Sequence, residues 1–376
     1  MSDELLEADR VEGAPHPRET SVLLGQSAAE AAFLDAFNTG RLHHGWLITG
    51  PRGVGKATLA WRIARFLLTQ PTEDGGGLFG EAPPAPASLD TDPDHPAVRR
   101  MAALSEPRLF LLRRAVDEKK GRLKTVITVD EARRLKNFFA LSAAEGGRRV
   151  VIVDAADEMN PNAANALLKL LEEPPEGAVI LLVAHQPSRL LPTIRSRCRE
   201  LRLSTLGEAD MAAALAAAGM ETDQTEALTA LSGGSVGEAI RLANLDGLAL
   251  YSEIVGLFAP LNRPRMLKLA ESAAGKGAEP RFDLMLRLFD LFLTRLARTG
   301  VAGPPAPEAA EGEAALMARL CPDANAARAW AEAAQELGTR ARQGKAVNLD
   351  PAALILDTVL RIDDMAARLA APQAYS

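Results

Sequence analysis

The segment Gly50-Pro51-Arg52-Gly53-Val54-Gly55-Lys56-Ala57-Thr58 has the composition of a loop that holds phosphate. Glycines let successive backbone N–H groups turn toward one anion, and a helix opening at the lysine adds partial positive charge. Lys56 is spaced to reach the outer phosphates of a nucleotide. A buried-looking apolar run, Val150–Val153, ends in Asp154, the place for an acidic group beside such a loop. A third stretch, Leu190-Leu191-Pro192-Thr193-Ile194-Arg195-Ser196-Arg197-Cys198, sets arginines between two apolar runs. A guanidinium there can project across a subunit boundary and neutralise charge developing on a phosphoryl group. Arg197 is the preferred candidate for that role, ahead of Arg195. The chemistry these residues could do together is phosphoryl transfer from ATP.

The set is incomplete. The position after the loop lysine ordinarily carries Ser or Thr, whose hydroxyl ligates Mg²⁺, and here it is Ala57. Thr58 lies about 100° further round the helix and does not point at the same metal. ATP bound weakly or without hydrolysis is therefore the expectation for Gly50–Thr58 and Asp154, and Mg²⁺ ligation is in doubt. Asp157 is expected to cap the segment that follows it. Cys198 reads as a small buried residue, since no histidine is suitably placed in the sequence to activate it as a nucleophile.

Positioning these residues calls for alternating strands and helices. Strand candidates are Trp46–Thr49, Leu109–Leu112, Val126–Val129, Val150–Val153, Val179–Val183 and Glu200–Leu203. A helix over Ala57–Leu68 follows the loop, and Asn160-Pro161 is a good start for another, with Asn as cap and Pro at the first helical position. Alternation of this kind implies an α/β domain with a mostly parallel sheet covered on both faces. Pro71–Pro96, rich in Gly, Pro, Ala and Asp, reads as a long irregular insertion. After about residue 205 the strand signal ends, and the chain continues as helices at Glu208–Ala218, Thr225–Leu231, Ser235–Leu242, Leu248–Leu257, Arg281–Arg298, Ala324–Arg342 and Pro351–Leu369. A Pro/Ala/Glu-rich loop over Gly300–Gly312 interrupts them. The expected divisions are a flexible arm over 1–20, the α/β domain over 21–205, a small helical domain over 206–245 and a larger one over 246–376.

Bulk composition narrows the function. The chain has 376 residues and a net charge of −6, which argues against a free-standing nucleic-acid binder. One local basic cluster, Arg113, Arg114, Lys119, Lys120, Arg122 and Lys124, is either a solvated hairpin or a basic face, and direct DNA contact stays open. Two cysteines, Cys198 and Cys321, have no zinc spacing and make no disulfide framework, so a reducing cytoplasm is the expected compartment. The acidic, polar N-terminus has no signal region and no run reaches membrane-spanning length.

Several strings together resemble the bacterial clamp-loader family, a branch of the AAA+ ATPases: HHGWLITGPRGVGKATLAWRIARFLL, ITVDEARRL, the strand ending in Asp154, ANALLKLLEEPP and LLPTIRSRC. The likeness covers most of residues 17–203. It implies an AAA+ P-loop domain with a parallel sheet, a small helical lid over 206–245 and an all-α collar over 246–376 that joins subunits into a ring. It implies gamma/tau and delta clamp-loader subunits as partners. A sliding clamp and primed DNA would be met through the complex, which has DNA polymerase activity as a whole. Active relatives carry a glutamate after the acidic strand end, where this chain has Ala155. Their lid carries a nucleotide-sensing arginine, where Ser232-Gly233-Gly234-Ser235-Val236-Gly237-Glu238 offers Gly237, and Arg241 comes a turn late. These departures favour a non-motor branch that supplies Arg197 in trans over the motor branch called gamma or tau. The alternatives are an ATP-hydrolysing gamma/tau-like subunit and a non-catalytic adaptor. Many relatives carry a four-cysteine zinc module in the region of Pro71–Pro96; its cysteines are missing here, so no zinc is expected.

Overall fold

The computed structural model describes residues 7–11, 13–71, 84–117, 119, 121–141 and 147–370. Much of the insertion expected over Pro71–Pro96 therefore lies outside the described residues, as does Lys120 of the basic cluster. The chain forms two compact units, one made of residues up to Glu221 with Ser235–Glu238, the other of Thr222–Gly234 with the residues from Ala239 onward.

The first unit is built on five strands, β1 (Gly45–Thr49), β2 (Leu109–Arg113), β5 (Arg149–Asp154), β6 (Ala178–Val183) and β7 (Arg199–Arg202), in the order β2-β5-β6-β1-β7. Every pairing among them is parallel. The register sets Trp46 beside Leu181 and Arg199, and Asp154 beside Arg113 and Val183. Side chains alternate across the sheet, so β1 sends Trp46 and Ile48 to one face and Leu47 to the other. On the first face they pack with α1 (Ser27–Asn38) and α2 (Lys56–Thr69) through Phe33, Leu59, Ile63 and Phe66. On the second they pack with α4 (Val129–Leu141) and α5 (Pro161–Glu172) through Leu135, Ala163, Leu167 and Leu171. Cover on both faces explains why β5 and β6 are buried at every position and read as unbroken apolar runs. The remaining elements of this unit are the short helix α3 (Pro96–Ala102), the hairpin β3 (Val116–Asp117) and β4 (Arg122–Leu123), the single turn α6 (Pro192–Arg195) and the helix α7 (Glu208–Ala217).

The expected α/β parallel-sheet class with a helical C-terminal region is thus borne out, with two local corrections. Val126–Val129 is not a strand. Ile127 makes one isolated bridge to Met159, and α4 begins at Val129 because the Glu131 carboxylate accepts the backbone N–H and the hydroxyl of Thr128, the carboxylate half of a capping box, which outcompetes β-branched propensity. The arm expected to be flexible is instead docked from Glu7 onward, because its acidic side chains meet arginines of the domain; the first six residues of that expectation lie outside the described residues.

The second unit is helical: α8 (Thr225–Ser232), α9 (Val236–Asn244) after its first turn, α10 (Gly247–Leu257), α11 (Arg263–Ser272), α12 (Glu279–Ala302), α13 (Glu313–Leu320), α14 (Ala324–Ala346) and α15 (Pro351–Ala370). Within it the buried Glu313 carboxylate accepts from the Tyr251 hydroxyl at 2.5 Å and from Arg295 Nε at 2.7 Å, so a charge inside the bundle is fully partnered. Among the described residues no helix is long and apolar enough to cross a membrane.

Helix α5 matters most for the site, because it leads from the acidic strand end toward Arg197. Its Asn160 side chain accepts the Ala163 N–H at 2.8 Å with Pro161 at the first helical position. Asn160→Ala is expected to lower the unfolding free energy by about 1 kcal/mol, measured as a reduced urea midpoint at unchanged slope.

Candidate functional site

The loop Gly50–Gly55 runs from the end of β1 to the start of α2. Gly53 and Gly55 adopt φ of +78° and +97°, a region that a side chain disfavours. Contacts enforce the same choice, since a Cβ on Gly53 would lie 2.3 Å from Ser235 Oγ. Helix α2 begins at Lys56, so the backbone geometry of a phosphate cradle is retained. Its lysine is not held out for an anion: Lys56 Nζ donates to the carbonyls of Gly50, at 2.8 Å, and Pro51. The side chain is buried, and burial pushes its ammonium down to about 8, although Asp154 and Asp157 pull the other way. Ala57 offers no hydroxyl at the position that would face a metal. The residues thus fit a phosphate cradle in backbone shape, but not a magnesium nucleotide in side chains.

Asp154 is buried at the tip of β5, next to Arg113 in register. Burial, then the carboxylates of Asp9 and Glu158, push its carboxyl up to about 7 against the pull of Lys56 and Arg113. Ala155 is buried and has no polar group to activate water. Asp157 does not cap the segment after it, as its position suggested. Its two carboxylate oxygens accept the backbone N–H groups of His185, at 2.9 Å, and Gln186, at 3.1 Å, and so fix the loop leaving β6. Burial and the nearby Lys56 and Arg52 push His185 down to about 4, so this imidazole is neutral.

Among the described residues of the basic cluster, three are paired with carboxylates. Arg113 pairs with Glu7 and Asp9, Arg114 Nε lies 2.6 Å from Glu158, and Lys124 Nζ bonds Glu131 at 2.7 Å. Arg113 and Arg114 end and follow the edge strand β2, Lys119 belongs to the turn of the β3–β4 hairpin, and Arg122 stays exposed on β4.

Arg197 is at the other end of the sheet. It precedes β7, whose first residue, Arg199, pairs with Trp46 near the start of β1. A Cβ on Gly45 would lie 3.2 Å from the Arg197 carbonyl. The phosphate loop leaves the opposite end of β1, and five residues of strand (Gly45–Thr49) separate the two by roughly 15 Å. The Arg197 guanidinium is part-exposed and held at two points: Nη1 donates to Thr193 O at 3.0 Å, and Nη2 lies 3.0 Å from Glu172 Oε1. Nε–H and further terminal hydrogens remain for an outside anion. Arg195 is exposed on α6. Burial pushes the Cys198 thiol up to about 12, which agrees with a packing residue and not a nucleophile.

Three contributors were not read from the sequence. Glu172, at the end of α5, tethers Arg197. The backbone N–H of Gly237 donates to Gly53 O at 3.0 Å, so the segment expected to carry a sensing side chain lays bare backbone on the loop. The docked arm brings Glu7, Asp9 and His16 to the arginine at the end of β2. Only for Glu172 was a signal at hand, in the Glu-Glu-Pro-Pro helix end.

Comparison with known proteins finds relatives among replication proteins. Residues 25–207 match the family model described as DNA polymerase III, delta subunit. The delta-prime subunit of DNA polymerase III from Pseudomonas aeruginosa is 41% identical over 201 residues, covering 53% of this chain and 55% of that protein. The delta-prime subunit from Yersinia pestis is 37% identical, covering 43% and 42%. A gamma/tau subunit from Mycobacterium bovis is 27% identical, covering 77% and 52%. The chain spans about half the length of these relatives. A gamma-subunit-related protein of Thermotoga maritima superposes with a TM-score of 0.36 at 17% identity, over 89% of this chain and 99% of that one. Residues 25–207 are thus similar in sequence to delta and delta-prime subunits of DNA polymerase III.

The environment of Asp154 has a pH signature. Its carboxyl in the folded state lies above the unfolded value of 3.8. Folding is therefore favoured most below about pH 4 and loses that advantage as pH rises through about 7. Asp154→Asn is expected to raise the melting temperature at pH 8 by several degrees, about 2–4 °C for each kcal/mol relieved, and by less at pH 5. Differential scanning calorimetry of both proteins at the two pH values checks this; an equal or reversed difference would remove the assigned cause.

Proposed function

We propose that this chain is a delta-prime-type subunit of a DNA polymerase III clamp loader, acting in DNA replication in the cytoplasm as a stator. Arg197 would enter an ATP site on an adjacent gamma/tau subunit. The assembly, with delta, would then open a sliding clamp and set it on primed DNA. One observation carries the reading. Arg197 stands at the opposite end of the parallel sheet from the chain's own phosphate loop, with donors to spare, so the anion it serves belongs to another molecule.

The residues divide the work accordingly. Thr193 O and Glu172 fix the guanidinium plane, which lowers the entropy lost when it meets a phosphate. A positive charge delivered there stabilises negative charge on the transferring phosphoryl group. The chain's own loop supplies no hydroxyl at Ala57 and no base at Ala155, and its lysine is turned onto two carbonyls of the loop. These three facts weigh against a gamma/tau-like motor, despite the longer alignment to gamma/tau. A simple adaptor has no use for an arginine oriented in this way.

The reading is tested with the chain assembled with gamma/tau and delta subunits, by primed-DNA-stimulated ATP hydrolysis. Arg197→Ala is expected to lower turnover by about tenfold or more, a fraction of what a full arginine finger contributes at one site. Arg195→Ala should stay near wild type, and assembly should survive both changes. Unchanged turnover with Arg197→Ala would end the trans assignment.

A further inference from the structure

We propose that the mouth of the phosphate loop already has an occupant: the chain's own N-terminal segment forms an acidic strap, through Glu7, Asp9 and Val11, that takes the place of a nucleotide. The inference stands apart from the trans role of Arg197, since it concerns the chain's own loop.

The path of the strap is marked by contacts on both sides of the loop. Leu23 Cδ1 lies 2.5 Å from where a Cβ on Gly55 would sit. Val11 Cγ2 lies 3.7 Å from the same position on Gly237, whose backbone packs on Gly53. Beyond Val11 the segment reaches the end of β2. There Glu7 Oε1 is 2.9 Å from Arg113 Nη2, and Asp9 Oδ1 bonds Arg113 Nη1. Arg113 is the register partner of Asp154, so the strap ends beside the acidic strand tip.

Helix α2 anchors the segment from the other direction. Arg65 donates to the carbonyls of Arg18, at 2.8 Å, and Thr20, at 2.6 Å. The His16 ring stands edge-on to Trp61 with centroids 6.5 Å apart. His16 Nε2 lies 3.4 Å from both Glu7 Oε2 and Asp9 Oδ1, and Arg18 Nη1 donates to Glu7 at 2.5 Å. Glu7 and His16 are 9% and 4% exposed. Burial alone would raise both acids, but for Glu7 the hydrogen bonds from Arg113 and Arg18, and for Asp9 the pull of His16 and Arg113, outweigh it. Both acids are therefore charged.

This arrangement closes the site electrostatically as well as sterically. A polyphosphate needs cations with unspent donors. Lys56 gives two of its three ammonium hydrogens to Gly50 and Pro51, and Arg113 is matched by two carboxylates. An incoming nucleotide would also meet the negative charges of Asp9 and Glu158, which bear on Asp154. Buried, fully matched ion pairs add little net stability, but removing one partner is costly. Such a cluster is suited to holding one arrangement of the segment.

The test uses the full chain and the fluorescent nucleotide mant-ADP, with and without Mg²⁺. Wild type is expected to show no saturable binding. Glu7→Gln with Asp9→Asn, or removal of residues 1–11, should improve apparent affinity by about tenfold or more as the open loop becomes populated. Adding Lys56→Ala to the strap variant should abolish the gain. Hydrogen exchange supplies a readout free of nucleotide: the amides of 50–58 should lose protection when the strap is removed, while those of β5 and β6 keep theirs and report an intact fold. Tight binding by wild type would overturn the proposal, as would unchanged affinity and unchanged protection of 50–58 in the strap variants.

Discussion

All strands of the sheet point the same way, and the rest of the molecule follows from that constraint. A parallel sheet collects its strand-to-helix turns at one end and its strand entries at the other. In this chain the first end holds the phosphate loop, Asp154 and Arg113. The second holds the start of β1, the end of α5 and the SRC segment (Ser196-Arg197-Cys198). The separation is a property of the backbone ladder, registered by pairs such as Trp46 with Arg199 and Asp154 with Val183. No side-chain rearrangement can bring the two ends together. The phosphate loop and Arg197 are therefore held at opposite ends of one sheet by its strand register.

Local chemistry made much of this legible from residues alone. The phosphate loop was readable because its determinants are contiguous: strand, glycines, lysine, helix. The start of α5 was readable because Asn160-Pro161 is a complete signal within two residues. Val126–Val129 misled because all four of its residues, Val, Ile, Thr and Val, are β-branched, while the deciding side chain, Glu131, lies just beyond the run. Asp157 misled differently. Its partners, the N–H groups of His185 and Gln186, come from the next strand's exit, and no local pattern announces them.

The docked arm shows the same limit at longer range. Glu7 and Asp9 look like a solvated acidic tail until Arg113, more than a hundred residues on, is brought beside them. Composition reported the charges correctly and could not report their matching. In the basic cluster at 113–124, left open between a solvated hairpin and a basic face, Arg113, Arg114 and Lys124 are paired with the arm, Glu158 and Glu131. Glu7, Asp9 and Arg113, each ordinary alone, become one network only after the sheet has formed. Desolvation makes such a network unforgiving of a missing member.

The contact between Gly237 and Gly53 limits what the loop can accommodate. Two glycine backbones touch there, and a Cβ at 237 would sit 3.2 Å from Gly53 Cα. A hydroxyl at Ala57 or a carboxylate at Ala155 would leave that contact untouched, whereas any side chain at 237 would press on the loop and push away the backbone that now seals it.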